Sequence, residues 1–274
     1  MNFQFKNLFG LVGKVAVVTG GAGLLGQNFC RGLAEFGANV VIADINKSAV
    51  TELAEKLTSE YKVKCIGIPC DVTSEESIHG MVSEVVRVFG GINILLNNAA
   101  SKADDLDAFF ASIENYSLDE WRKIMAVNID GMFLAAQAVG KQMLLQGQGG
   151  SIIQTSSIYG VVGPDNRIYE GSFYLGRKIN TPPVYSASKS AVIGLTRYLA
   201  TAWADKGIRV NTITPGGVKS GQNEEFIARY SDRIPMRRMA KAEEMVGAAL
   251  YLSSEASSYV TGQNLIIDGG LTAW

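Results

Sequence analysis

Lys14-Val-Ala-Val-Val-Thr-Gly-Gly-Ala-Gly-Leu-Leu-Gly26 decides the fold of this chain. Its first half is a short apolar, β-branched run, which reads as a buried strand of a parallel sheet. Its second half is a glycine turn. Gln27-Asn-Phe-Cys-Arg-Gly-Leu-Ala-Glu-Phe36 follows with helical period and stops at Gly37. A second apolar strand, Asn39-Val-Val-Ile-Ala43, then ends at Asp44. A lone Gly-x-Gly-x-x-Gly is a weak signal, and Gly21, Gly23 and Gly26 taken alone could be turn residues. Between a strand and a helix, with an acid at the end of the next strand, the same glycines read as a dinucleotide-binding turn. The glycines admit close approach of backbone N–H groups to a pyrophosphate, which rests on the helix N-terminus. Asp44 would accept hydrogen bonds from an adenosine ribose. Its carboxylate would repel a 2′-phosphate, which favours NAD over NADP, although Lys47 lies close by.

Outward from this unit, strands and helices alternate. Cys65–Cys70, Ile92–Asn97, Ser151–Ser156, Ile208–Ile213 and Asn264–Asp268 read as five further strands. Thr73 with Glu76 resembles a capping box for the helix after the third strand. Asp119–Val139 reads as one long helix. Repeated βα units imply a single α/β domain over residues 1–274. The expected fold is a Rossmann-type, doubly wound parallel sheet of about seven strands with helices on both faces. No internal repeat or low-complexity segment interrupts it.

The second informative stretch is Tyr185-Ser-Ala-Ser-Lys189, which opens an amphipathic helix running to Trp203. Residues four apart share one helix face, so phenol and ammonium address one small volume. A phenol titrates near pH ~10, and an adjacent positive charge lowers that value. The pair thereby reads as a proton donor and acceptor usable near neutral pH. Tyr174-Leu-Gly-Arg-Lys178 has the same spacing, but Pro182-Pro183 ends any helix there. Tyr174 is therefore read as a loop aromatic or a substrate contact.

Composition fits a cytoplasmic enzyme. The chain has 274 residues, a hydrophobic fraction of 47% and a formal net charge of −1. That balance argues against nucleic-acid and anionic-membrane surfaces. No apolar stretch is long enough to span a membrane, and the first ten residues lack a secretory pattern. Cys30, Cys65 and Cys70 are too scattered for a disulfide framework, and Cys30 reads as core. The single histidine, His79, reads as a surface helix residue and leaves no histidine-based metal site; no metal is expected.

Taken in order, Thr19-Gly20 with Gly26, Asp71, Asn97-Asn98-Ala99, Asn128, Ser157, Tyr185 with Lys189, and Pro215-Gly216 resemble the short-chain dehydrogenase/reductase family over essentially the whole chain. The resemblance implies an NAD(P)-dependent oxidoreductase acting on CH–OH groups, assembled as a homotetramer or dimer. It implies that Ser157 polarises the substrate carbonyl or alcohol and that Tyr185 is the acid/base. Lys189 would lower the Tyr185 pKa and hold the nicotinamide ribose, and Asn128 would support a proton-relay water. Cofactor contacts would fall on Thr19, Gly20, Gly23, Leu24, Leu25 and Gly26. Asp44, Asp71, Val72, Asn98 and Ala99 would continue them, with Tyr185, Lys189, Pro215, Gly216, Val218 and Ser220 at the nicotinamide end. Choosing Ser157 over Ser156 rests on the family pattern. Asn128 sits among apolar residues, where an amide needs partners; function and structural satisfaction both remain open for it. Asn97 reads as a structural strand-end amide.

Three departures stand out. Leu24 occupies a position where compact members usually carry glycine or alanine. Gly23 makes the spacing Thr-Gly-x-x-Gly-x-x-Gly, more typical of the extended, sugar-modifying branch, while length and the Pro215-Gly216 tail favour the compact type. Ala100 replaces a usual glycine. Ser157 and Tyr185 stand about twice the usual family spacing apart, because Pro164–Pro183 is inserted between them. This insertion, at about residues 164–183, carries Arg167, Tyr169, Phe173, Tyr174, Arg177 and Lys178. Guanidinium groups bind carboxylate or phosphate, and tyrosines cover sugar rings. With Ser157, then, Arg167, Tyr169, Tyr174 and Arg177 become candidate substrate residues for a sugar, sugar phosphate or nucleotide sugar. A solvated loop or a subunit contact is the other reading of the insertion. The insertion and the Asp268–Trp274 ending resemble enzymes of bacterial surface-polysaccharide and flagellin-glycan pathways. The expected reaction is hydride transfer between NAD(H) and a secondary alcohol or ketone. An epimerase or dehydratase that recycles its NAD, and a non-catalytic NAD-binding protein, are the alternatives.

Overall fold

A computed structural model describes residues 7–101, 105–174 and 176–274, apart from the Tyr174 side chain. The start of the N-terminal segment read above for a secretory pattern, residues 1–6, lies outside the described residues. The strands are β1 (Val15–Thr19), β2 (Asn39–Asp44), β3 (Cys65–Pro69), β4 (Ile94–Asn97), β5 (Gly150–Thr155), β6 (Phe173–Tyr174), β7 (Arg177–Lys178), β8 (Ile208–Pro215) and β9 (Asn264–Ile267). Seven of them form one sheet in the order β3-β2-β1-β4-β5-β8-β9. All of its pairings are parallel, for example Val15 opposite Asn39 and Ile94 opposite Ser151. β6 and β7 make a separate antiparallel hairpin inside the insertion.

The principal helices are α1 (Leu24–Glu35), α2 (Lys47–Tyr61), α3 (Glu75–Phe89), α4 (Leu106–Phe109), α5 (Leu118–Met125), α6 (Gly131–Gln146), α7 (Pro183–Trp203), α8 (Glu224–Asp232) and α9 (Val246–Ser253). Strand alternation sends Ala16 and Val18 to one face of the sheet and Val15 and Val17 to the other. The first face packs on α1, α2 and α9 through Phe29, Cys30, Leu57 and Ala249. The second packs on α3, α6 and α7 through Met81, Val139 and Leu199. The central strands β1, β2, β4, β5 and β8 are therefore buried on both faces, which is why they read as unbroken apolar runs. Cys30 lies in this core, as its sequence context suggested, and His79 is exposed on α3.

A third, smaller apolar cluster lies outside the sheet layers. Ile168, Tyr169 and Ile179 of the insertion pack there with Phe226, Tyr230 and Leu271. Helix boundaries depart from the sequence reading at several places: α1 begins at Leu24 and α7 at Pro183, each ahead of the expected start, and two more departures fall at the start of α3 and between α5 and α6. Ser74, not Thr73, caps α3, accepting from Ser77 N at 3.2 Å. Thr73 instead donates its hydroxyl to Asp71 at 2.7 Å. The long helix expected at Asp119–Val139 contains a π-helical turn, Ala126–Asp130, between α5 and α6. Such a turn displaces one residue from the regular ladder and often marks a functional site; here it carries Asn128. Among the described residues, no helix is long and apolar enough to cross a membrane.

Candidate active site

The order β3-β2-β1-β4 reverses direction between β1 and β4, and a cleft opens beyond the C-terminal ends of the strands at such a switch point. Its volume is about 330 Å³. Leu24 and Leu25, Asn98, Ser157, Tyr185 and Lys189 line it, and Pro215, Gly216, Val218 and Ser220 close another side.

The glycine turn is shaped by contacts a side chain would block. Gly20 has φ +61°, and a Cβ there would sit 2.8 Å from Ala99 Cα. A Cβ on Gly26 would collide with the Gly20 carbonyl. Gly23 caps α1 without any side-chain hydrogen bond, so no side chain occupies the N–H groups of the first turn. Asp44 accepts from Ala22 N and Asn46 N, each at 3.2 Å, which ties the turn to β2. A carboxylate has about four lone-pair sites, so acceptor capacity remains. Asp71 holds Thr73, and Val72 is buried where a Cβ on Gly131 would strike it.

Thr19 and Asn97 are fully buried and do not reach the cleft. Thr19 Oγ1 donates to Asn97 Oδ1 at 3.1 Å and accepts from Asn98 N and Ala99 N at 3.0 and 3.2 Å. Asn97 Nδ2 donates to Met132 O at 2.7 Å. These bonds fix β1 against β4 and place Asn98 on the cleft wall, its amide donating to Thr19 O and Gly20 O at 3.3 Å.

Tyr185 and Lys189 lie on the first turns of α7, and the ammonium stands 5.9 Å from the phenol ring centroid. Lys189 donates to Thr155 O at 3.0 Å. Burial lowers its pKa from the ordinary lysine value to about 8. The loop after β5 is fastened to the same helix. Ser156 donates to Lys189 O at 2.7 Å and Ser190 to Gly160 O at 3.0 Å. The hydroxyl of Ser156 is thus already engaged, while Ser157 Oγ accepts from Tyr159 N at 3.3 Å and lies near enough to Tyr185 to draw its pKa down. One expectation changes sign. The lysine was expected to pull the tyrosine pKa down; burial instead pushes Tyr185 up, and the Ser157 hydrogen bond pulls the other way. The lysine's charge is directed at the Thr155 carbonyl and is itself disfavoured by burial.

Asn128 is 1% exposed. Its Oδ1 accepts from Ser101 N at 2.9 Å and its Nδ2 donates to Ser188 Oγ at 3.2 Å. Ser188 in turn donates to Tyr185 O at 3.0 Å, so the amide braces the start of α7.

The insertion divides its residues. Tyr169 lines the cleft. Arg167 does not; it forms a forked pair with Asp165, both bonds 2.8 Å. Arg177 also lies outside the lining and pairs with Asp107 at 2.7 Å. Tyr174 lies opposite Arg177 in the hairpin, and its side chain is outside the described part of the structure. Sequence reasoning missed Tyr159, Phe226, Tyr230 and Met239, all of which line the cleft. Phe226 and Tyr230 were findable in principle, as an i, i+4 aromatic pair on a short helix just after the Pro215 loop.

A family model described as short chain dehydrogenase matches residues 14–230. Galactitol 2-dehydrogenase (L-tagatose-forming) of Cereibacter sphaeroides is 34% identical over 282 residues, covering 99% of this chain and 100% of that one. A solved NAD+-bound xylitol dehydrogenase superposes with a TM-score of 0.83 at 32% identity, covering 95% of this chain and 99% of that one. The gluconate 5-dehydrogenase of Burkholderia cenocepacia J2315, solved with NADP and tartrate, gives a TM-score of 0.84 at 30% identity over 98% of both chains. On the match to its sequence and to its whole fold, this chain belongs to the short-chain dehydrogenase/reductase family and is an oxidoreductase that acts on CH–OH groups.

Proposed function

We propose that the protein oxidises a secondary alcohol of a polyhydroxylated substrate, or reduces the matching ketone, with NAD(H) as its redox partner. The observation that carries this reading is the meeting of Ser157, Tyr185 and Lys189 in the one cleft onto which the glycine turn opens. The polyhydroxylated substrate is suggested by relatives named for galactitol, xylitol and gluconate.

A nicotinamide dinucleotide fits the residues present. The first turn of α1 has no side-chain cap, so its N–H groups can receive a pyrophosphate. Gly20, Gly23, Leu24, Leu25 and Gly26 would form that cradle, with the buried Thr19 holding its base against β4 rather than touching the cofactor. Asp44 would take the adenosine ribose, with Asp71, Val72 and Ala99 beside the adenine half. Asn98, Pro215, Gly216, Val218 and Ser220 would flank the nicotinamide half. When bound, the nicotinamide supplies the hydride chemistry.

The chain's own residues handle the proton. Tyr185 Oη removes it from the substrate hydroxyl during oxidation and returns it during reduction. Ser157, beside Tyr185 in the cleft lining, orients the reacting oxygen. An ammonium has three donors; Lys189 gives one to Thr155 and keeps others for a ribose hydroxyl. Asn128, through Ser188, holds the backbone of Tyr185 in place.

The test is NADH absorbance with NAD and a panel of polyols, sugars, sugar acids and phosphorylated or nucleotide-linked sugars. Tyr185→Phe is expected to lose about 100-fold or more, the usual scale of general acid–base catalysis. Net NADH accumulation would exclude a cofactor-recycling epimerase. A role in surface-polysaccharide or flagellin-glycan assembly would require turnover of a phosphate- or nucleotide-linked sugar in the same panel. Assembly into dimers or tetramers is part of the proposal, supported by exposed Phe133 and Leu145 on α6 and Tyr198 on α7. Light scattering of the purified chain tests it.

A further inference from the structure

The substrate end of the cleft is walled by residues from three separate places in the chain. Tyr159 follows Ser157 in the loop after β5, Tyr169 comes from the insertion, and Phe226 and Tyr230 come from α8. Tyr169 is their hub. Its hydroxyl lies 3.0 Å from that of Tyr159 and 2.5 Å from Thr181 Oγ1. Its ring packs on Phe226 with centroids 5.5 Å apart, and Phe226 stacks on Tyr230 at 5.5 Å. Tyr169 and Thr181 stand near opposite ends of the insertion, so the inserted segment itself closes this hydroxyl chain.

The segment is held at both sides of the cleft mouth. Arg177 pairs with Asp107, and Asn180 Nδ2 donates to Phe110 O at 2.8 Å on one side. On the other, Arg229 of α8 donates to Glu170 O at 2.6 Å and to Arg167 O at 3.1 Å. These contacts also pair the nearby arginines with carboxylates. Arg167 and Arg233 face Asp165, and Arg229 faces Glu225 and Glu170. Lys189 is the one charged side chain among the described residues lining the cleft, and it is bonded to Thr155. A carboxylate or phosphate placed beside Tyr169 would lose water and gain no counter-charge, an unfavourable exchange. A hydroxyl both donates and accepts, so it can join the tyrosine and threonine hydroxyls without residue. The directions of titration agree: burial pushes Tyr159 and Tyr230 up and Lys189 down, all toward the neutral form.

We propose that the insertion makes this cleft selective for neutral polyhydroxylated substrates, with the Tyr159–Tyr169–Thr181 hydroxyl chain reading hydroxyls remote from the reacting carbon. The inference rests on the function proposed above and sharpens its substrate class.

The test is steady-state kinetics of the full chain with NAD on matched compounds: a five- or six-carbon polyol, its aldonic acid, its terminal phosphate, and 2,3-butanediol. The expected wild-type result is a kcat/KM for the polyol at least tenfold above that for either anion. Tyr169→Phe is expected to raise KM for the polyol about tenfold while changing kcat less than threefold. Its preference for the polyol over 2,3-butanediol should fall by a similar factor. Thr181→Val, which leaves the ring stack intact, should move the same ratio in the same direction if Tyr169→Phe folds poorly. Faster turnover of the acid or the phosphate would overturn the neutral-substrate inference and leave the oxidoreductase reading standing. Unchanged polyol preference in both variants would overturn the role of the hydroxyl chain. Absence of NADH from every hydroxylated compound would overturn both.

Discussion

Lys189, proposed as part of the catalytic set, carries a cost in stability. Its ammonium is buried with a backbone carbonyl as partner, and its pKa falls to about 8. An unfolded lysine titrates near ~10.4. The sign then follows from linkage: the stability contribution is fully present above pH ~10.4 and is lost as pH falls through about 8. At neutral pH the buried charge therefore opposes folding. Lys189→Met is expected to raise Tm at pH 7 while reducing kcat at least ~100-fold. The Tm gain should shrink between pH 8 and 10, where the wild-type lysine loses its proton before the unfolded chain does. Calorimetry of both proteins at pH 7 and 9.5 checks this; an equal difference at the two values would contradict it. Tyr185 moves in the opposite direction, raised by burial, so its contribution is present below ~10 and lost as pH climbs past its folded value. In the proposed oxidation Tyr185 is the base, so the rate should climb with pH above neutrality. Tyr185 and Lys189 were legible as a pair from helix spacing together with the prolines that set Tyr174 and Lys178 apart. Their charge states were not, because desolvation depends on what other segments pack over them.

At the scale of elements, the active site depends on how the loop after β5 is fastened to α7. Gly160 is the contact point. A Cβ there would stand 2.6 Å from the Lys189 backbone carbon and oxygen and 2.8 Å from Ser156 Oγ. Backbone cannot yield as a flexible side chain can. Gly160→Val is expected to cost ~1–3 kcal/mol of stability by overpacking, seen as a lower Tm. It should also reduce kcat more than tenfold by moving Ser157 away from Tyr185. A variant with unchanged kcat would show that the loop reaches its place by other means. The β1-turn-α1-β2 unit was legible because each of its elements is local and its periodicity is clean. The π turn at Ala126–Asp130 was not, because hydrogen-bond slippage leaves no mark in hydrophobic spacing. The insertion showed its tyrosines in sequence, but its arginines gave no clue to which carboxylates would claim them.

Across the whole molecule, the parallel order of the sheet brings proposed cofactor and catalytic residues to one rim. Asp44 ends β2, Asn98 follows β4, Ser157 follows β5 and Val218 follows β8. Ligand binding to that rim should stabilise the fold by mass action, by ~2.7 kcal/mol at a hundredfold excess over Kd. NAD is expected to raise Tm by a few degrees and NADP by less, because of the Asp44 carboxylate. Asp44→Ala should weaken NAD about tenfold and narrow or reverse the gap to NADP, as thermal shift titrations with both cofactors would show. A wild-type protein that NADP stabilises more would refute the preference. By itself, the sequence determined the α/β class, the glycine turn and the Tyr185/Lys189 pair, since each rests on short-range spacing and backbone sterics. Only the tertiary structure decided which residues line the cleft. That choice depends on ion pairs and ring stacking between segments far apart in the chain, which turn Arg167 and Arg177 outward and bring Tyr159, Tyr169, Phe226 and Tyr230 together.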